Sequence, residues 1–260
     1  MIHTFGDSHA STPWGKIHGV SYNWTKGTAY KFGLHKERHI NITEPIFKIQ
    51  DNDFIIFSFG FLDCKSYIKP LSEEFNIKWQ DCIDTIVEDY ISAIEVNKNK
   101  FNNLQIGVLK IPSFVKGLPS EDDDLNPERY PTRCLDEERK AYTEYFNEQL
   151  KHFCDTKKYK FIDFFDRFND KHGYLEEVYT DEHKIHISPH LDFQNYLLKN
   201  FKEHFEKNPL YENRTNVGRA FVSNISKDVD GETIYTSLSD CIVEMFSLEN
   251  NKIKVTSIAT

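Results

Sequence analysis

The run "FIIFSF" at 54–59 is apolar at both sets of alternating positions, so a strand built from it has no face to give to water. It has to lie inside a sheet that is covered on both sides. Four further runs read as companion core strands, at 2–5, 39–42, 104–111 ("LQIGVLKI") and 159–164 ("YKFIDF"). Helical patterns separate them. In "IKWQDCIDTIVEDYISAIEV", Cys82, Ile83, Ile86, Val87, Tyr90, Ile91 and Ile94 recur at three- and four-residue spacing and make one apolar stripe. A helix from about 136 to 153 carries Tyr142, Tyr145, Phe146, Leu150 and Phe153, and another from about 190 to 205 carries Phe193, Leu197, Leu198, Phe201 and Phe205. Strands alternating with helices of this length predict a five-stranded parallel sheet between helix layers. A chain of 260 residues can bury such a core and still carry a small appendage.

Two stretches break the alternation. The segment 113–133, "SFVKGLPSEDDDLNPERYPTR", has prolines, acids and little periodicity, so it reads as a loop. It follows a strand, and therefore leaves the carboxyl edge of the sheet, where open α/β folds place their ligands. A solvated connection and a substrate lid both fit it. After about Pro209 the texture turns β-like, with "LENNK" as a hairpin turn between two strands. The expected organisation is a domain over 1–208 and a small β-rich extension over 209–260, the latter a candidate contact for a homo-oligomer.

Net charge sets further bounds. At −9 the chain lacks the basic face that a nucleic-acid backbone requires. No apolar run has the length of a membrane span, and Asp7 interrupts the first strand too early for a signal peptide. Five cysteines without a C-x-x-C pair read as buried thiols in a reducing compartment. These features predict a cytoplasmic protein with neither a nucleic-acid nor a membrane partner.

Four short stretches carry chemistry, in this order: "FGDSHA" directly after the first strand, "WTKGTAY" (24–30) with Gly27 before a short helix, "FSFGFLDCK" (57–65), and "YTDEHKIHIS" (179–188) before the last core helix. Together they resemble the SGNH, or GDSL-like, hydrolase family over residues 2 to about 205, and "FGFLDCK" resembles a subgroup whose third block reads Gly-Glu-x-Asp-Cys-Arg. The resemblance implies a flavodoxin-like three-layer α/β/α sandwich and a serine nucleophile at Ser8. It also implies an oxyanion hole from the backbone N–H groups of Ser8 and Gly27, and a base near the end of the domain. A serine hydroxyl is a poor nucleophile until a base takes its proton. His186 is the candidate base, with Asp181 to orient it. The developing oxyanion needs fixed donors, and the lack of a side chain at Gly27 lets the backbone approach the reacting carbon.

The sequence departs from that pattern at two places. Leu62 stands where the family's asparagine donor belongs, so either the site runs with two donors or another group such as Lys65 or Asn23 substitutes, and Lys65 replaces an arginine without its fork geometry. His183 stands where the acid of the Asp-x-x-His pair belongs, so either a bulged loop lets Asp181 orient His186 or the site is a Ser–His dyad that uses a backbone carbonyl. Asp7 reads as a turn or capping residue, Asp63 as a tie between loops, and His9, His183 and His190 as polar surface or supporting residues. His183, His186 and His190 lack the scaffold of a zinc site, so neither metal nor cofactor is expected. The leading reading is a serine-dependent esterase acting on an O-acetylated carbohydrate, with hydrolysis favoured over acetyl transfer to a sugar hydroxyl. The alternative, suggested by Leu62 and the broken acid–histidine pair, is a non-catalytic binding or assembly module on the same fold.

Overall fold

The computed structural model describes residues 2–10, 19–24, 27–117, 133–180, 187, 227–229, 232–234, 241–249 and 252–258. One sheet organises them. Its strands are β1 (Ile2–Gly6), β2 (Gly19–Trp24), β3 (Phe54–Ser58), β4 (Gln105–Leu109), β5 (Lys160–Ile162), β8 (Cys241–Glu249) and β9 (Lys252–Ile258), in the spatial order β5-β4-β3-β1-β2-β8-β9. Strands β6 (Lys227–Val229) and β7 (Glu232–Ile234) form a separate antiparallel pair. The pairings among β1 to β5 are all parallel, whereas β8 runs antiparallel to β2 and to β9. This is the doubly wound arrangement expected for runs such as 54–58, every residue of which is buried. The chain turns outward from β1 to β2 and then crosses back to β3 on the other side of β1. The carboxyl ends of β1 and β3 therefore mark the topological switch point, where open α/β sheets form their ligand crevice.

Helices α1 (Ala29–His35), α2 (Ile68–Phe75), α3 (Trp79–Lys98) and α4 (Asp136–Lys157) supply the cover. Helix α3 packs against both α1 and α4. The seven stripe residues of α3 named above are all buried. In α4, Tyr142, Phe146 and Leu150 are buried, while Tyr145 and Phe153 pack at the margin of the core. Between β3 and α2 the chain makes a π-turn over Asp63–Tyr67. No helix among the described residues is long and apolar enough to cross a membrane.

The expected strand at 39–42 is not one. Ile40 and Ile42 are buried, so their alternation does mark core positions. Their backbone, however, is committed elsewhere: the His39 and Ile40 N–H groups donate to the Lys36 carbonyl, and the Ile42 N–H donates to Asn97 Oδ1 on α3 at 2.9 Å. The parallel strand missing from the reading is β2, whose register runs from Ile2–Gly19 to Gly6–Asn23. The helix expected at 190–205 lies outside the described residues, as do most of the loop 113–133 and the boundary at 208. The turn read at "LENNK" does separate two paired strands, β8 and β9.

Candidate active site

Gly6 ends β1 opposite Ser58 of β3 on one side and Asn23 of β2 on the other. A side chain there is impossible without moving the backbone, because a Cβ would lie 2.1 Å from the Ser58 carbonyl oxygen. The glycine thus lets the two strands stay paired up to the switch point. Asp7 then shapes the exit. Its N–H donates to the Ser58 carbonyl (3.0 Å), its carbonyl accepts from the Ala10 N–H (2.9 Å), and its Oδ1 accepts from the His9 N–H (2.9 Å). The result is a 3-10 turn over Ser8–Ala10 that begins at the serine. The backbone of Ser8 is therefore fixed at the carboxyl edge, and its side chain lies outside the described set.

His9 is buried, with Nδ1 3.2 Å from Asp7 Oδ1 and its ring centred 4.1 Å from that of Phe61. It supports the turn from inside and is not a surface residue. Phe61 in turn stacks on Phe114 at 4.2 Å, and the Arg139 guanidinium lies 5.5 Å from the Phe114 ring. A continuous stack thus leads from the Ser8 turn to the first turns of α4.

Gly27 is buried and precedes Thr28, the N-cap of α1, whose hydroxyl accepts from the Lys31 N–H at 3.0 Å. The remaining free N–H groups of this helix end go to Asp63. Its Oδ2 accepts from Ala29 (2.8 Å) and its Oδ1 from Tyr30 (3.0 Å). Asp63 is fully buried and is the tie between loops that its position suggested. Burial, partly offset by the Tyr30 and Ala29 N–H groups and reinforced by the charge of Asp7, pushes its carboxyl up to about 7. The second and third sequence blocks are therefore bolted together beside the serine turn.

Lys65 is buried in the π-turn, where the Arg133 N–H donates to its carbonyl and the Cys134 thiol contacts the Cys64 and Lys65 carbonyls at 3.5 Å. Leu62, at the head of the same turn, is partly buried. Asn23 stands in register with Gly6 on β2, with its side chain outside the described set. Asp181, His183 and His186 also lie outside it. The residues that flank them, Thr180 and Ile187, form an antiparallel bridge, and Ile187 is buried.

Sequence reasoning passed over Arg139. It is 1 % exposed and falls on the stripe of Tyr142, Phe146 and Leu150, a spacing that marks it as core-facing. Its Nη2 donates to Asp136 Oδ1, and its Nε has no hydrogen-bond partner. A second buried pair, His3 Nε2 and Asp53 Oδ2 at 3.4 Å, holds the Asp53 carboxyl well below the usual carboxylate range despite its burial. Asp53 leads into β3 at the amino end of the sheet, away from the switch point.

The class defined by this geometry is a doubly wound α/β protein with a glycine-led serine turn at its switch point. The chain matches no protein-family model and no curated protein. Among solved structures it is similar to an acylhydrolase candidate from Bacteroides fragilis, at 14 % identity and a TM-score of 0.48, over 79 % of this chain and 86 % of that one. It is likewise similar to a GDSL-like lipase from Bacteroides thetaiotaomicron, at 12 % identity and a TM-score of 0.47, over 79 % and 87 %. A catalytic mutant of an acetylxylan esterase from Geobacillus stearothermophilus aligns at 12 % identity and a TM-score of 0.43, over 78 % and 93 %.

Proposed function

We propose that the chain is a serine-dependent acyl-ester hydrolase whose nucleophile is Ser8. The observation that carries this reading is the turn itself. A serine begins a rigid 3-10 turn at the carboxyl end of β1, while Asp63 fixes the start of α1, two residues after Gly27, against the end of β3. In the reaction, Ser8 Oγ attacks the ester carbonyl carbon as its proton passes to His186, and Asp181 orients the imidazole. The carbonyl oxygen becomes an oxyanion facing the Ser8 and Gly27 N–H groups. The tetrahedral intermediate then collapses, the alcohol leaves with the proton from His186, and water hydrolyses acyl-Ser8 by the reverse proton path. O-acetylated carbohydrate is the substrate class that fits the sequence resemblance. A sugar hydroxyl in place of water would give transfer from the same intermediate.

A fluorophosphonate tests the nucleophile without knowledge of the substrate. It should add once, to the peptide containing "TFGDSHA", and Ser8→Ala should abolish both the label and p-nitrophenyl acetate hydrolysis. Hydrolysis should rise with pH through about 6 to 7, as a histidine base requires, and His186→Ala should flatten that rise and lower the rate by orders of magnitude. Labelling of another serine, or of none in the folded protein, would sink the reading.

A further inference from the structure

We infer that the groove between α4 and the segment 163–174 is a second ligand site, built for an uncharged, polyhydroxylated ring such as a neutral sugar. The inference goes beyond the reading of Ser8 and does not depend on it. The groove has a volume of about 530 Å³, within the range of small-molecule sites. Lys140, Thr143, Glu144, Asn147, Glu148 and Lys151 recur at three- and four-residue spacing along one face of α4 and form one wall. The polar side of this helix therefore faces a second wall and not open water. Both walls are pinned to the end of β4. Asn147 accepts from the Ile111 N–H at 2.8 Å and donates to the Ile111 carbonyl at 2.9 Å. Opposite it, the Asn169 amide donates to Ser113 Oγ at 2.9 Å, and the Leu175 N–H donates to the Phe114 carbonyl at 3.0 Å. Gly173, at φ +85°, leaves room for Lys140, since a Cβ there would lie 3.0 Å from Lys140 Cε. A site held open in advance loses little binding energy to the ordering of its walls.

Charge balance selects the ligand class. Three lysines and four carboxylates line the groove, and Lys116 and Asp155 flank it with one charge of each sign. Lys110 lies between Asp163 at 3.2 Å and Asp166 at 2.6 Å, and Lys140 is paired with Glu144. Charges so nearly even, and mostly closed on one another, select neither an anion nor a cation. They still offer hydrogen bonds of both kinds, because a paired ammonium keeps N–H donors and a paired carboxylate keeps lone pairs. The ligand that matches has donors and acceptors at close spacing and an apolar C–H face for Phe161, which is partly exposed between them. Hydroxyl groups around a carbon ring supply both. The groove shares the carboxyl edge of the sheet with the serine turn, and the rings of Phe114, Phe61 and His9 lie between the two.

The test is calorimetric titration of the full chain with four tetrasaccharides: cellotetraose, maltotetraose, the N-acetylglucosamine tetramer and its cationic, deacetylated counterpart. At least one of the three neutral sugars should bind once per chain with a Kd below about 1 mM, equally at about 50 and about 500 mM salt, since it carries no charge to be screened. Glu148→Ala and Asp166→Ala alter exposed side chains and leave the core untouched. Together they should weaken that binding by about 10-fold or more, and Phe161→Ala should do the same. Absence of binding by every neutral sugar overturns the inference. So does binding of the cationic tetramer alone, lost at the higher salt, which would mark a cation site. Binding that survives all three substitutions places the sugar elsewhere and also overturns it.

Discussion

Two buried residues, Asp63 and His39, contribute to stability with opposite dependence on pH. Asp63 binds its proton up to about pH 7 in the folded chain but only to the ordinary carboxylate value when unfolded. Between about pH 4 and 7 the folded form therefore holds the extra proton, and stability falls as pH rises through that window. The full penalty, up to about 4 kcal/mol, stands above it. His39 works the other way. Burial, then the charges of His35 and Lys31, lower it to about 4, so its contribution is present at neutral pH and is lost as pH falls from about 6.5 to 4. The two slopes oppose each other in the wild type, and a variant is needed to separate them. Asp63→Asn should remove the downward slope between pH 4 and 7, read as urea midpoints across that range. It should also slow acylation of Ser8, because the amide can accept from only one of the Ala29 and Tyr30 N–H groups. A slope unchanged from the wild type would show that Asp63 does not titrate there. Asp63 is legible as a tie between loops because it sits in a short spaced motif. Its charge state is not, because it comes from burial and from Asp7, 56 positions earlier in the chain.

At the level of elements, legibility followed the number of positions that share one period. Helix α3 repeats its stripe from Cys82 to Ile94, between three and four turns, and a pattern that long admits no other reading. The stretch at 39–42 offered only two alternating apolar residues, Ile40 and Ile42, and a buried loop presents the same pair as a strand does. What separates the two cases is a side chain 55 positions away, Asn97, which occupies the Ile42 N–H that a strand would have used. Strand β2 failed for the converse reason: "GVSYNW" does alternate, at Val20, Tyr22 and Trp24, but glycines and lysines around it imitate a loop. The Asn97 contact is open to a direct check. Its Nδ2 also donates to the Ala93 carbonyl, so the amide is held at both ends. Asn97→Ala should leave the Ile42 N–H buried without a partner and cost about 1–3 kcal/mol, seen as a lower urea midpoint with an unchanged slope. The Ile42 amide should then exchange hydrogen faster. Retained protection at Ile42 would mean that the loop is held by packing alone.

For the molecule as a whole, the question is what the residues after 208 do for the sheet. All the chemistry-bearing stretches precede them, which on its own makes the extension dispensable. The pairing of β8 gives it a task. From Gly19–Phe246 to Trp24–Cys241, it lies antiparallel along the whole of β2. Strand β2 in turn carries Asn23 opposite Gly6, and it ends three positions before Gly27 in the sequence. Without β8, the outer backbone edge of β2 has no strand to pair with, and an unpaired edge is a template for a second chain. Strands β1, β3, β4 and β5, with α1, α3 and α4, keep their packing, so a chain ending at Asn208 should still fold and still take the fluorophosphonate at Ser8. It should, however, self-associate in size-exclusion chromatography, and the amides of 19–24 should lose protection in the fraction that stays monomeric. The full chain should show neither effect. A truncated chain that elutes as a monomer with 19–24 still protected would show that β2 needs no partner on its outer edge. One that unfolds would show that the hairpin completes the core. Either result would overturn the view of the extension as an edge cover for the strand beside the serine turn.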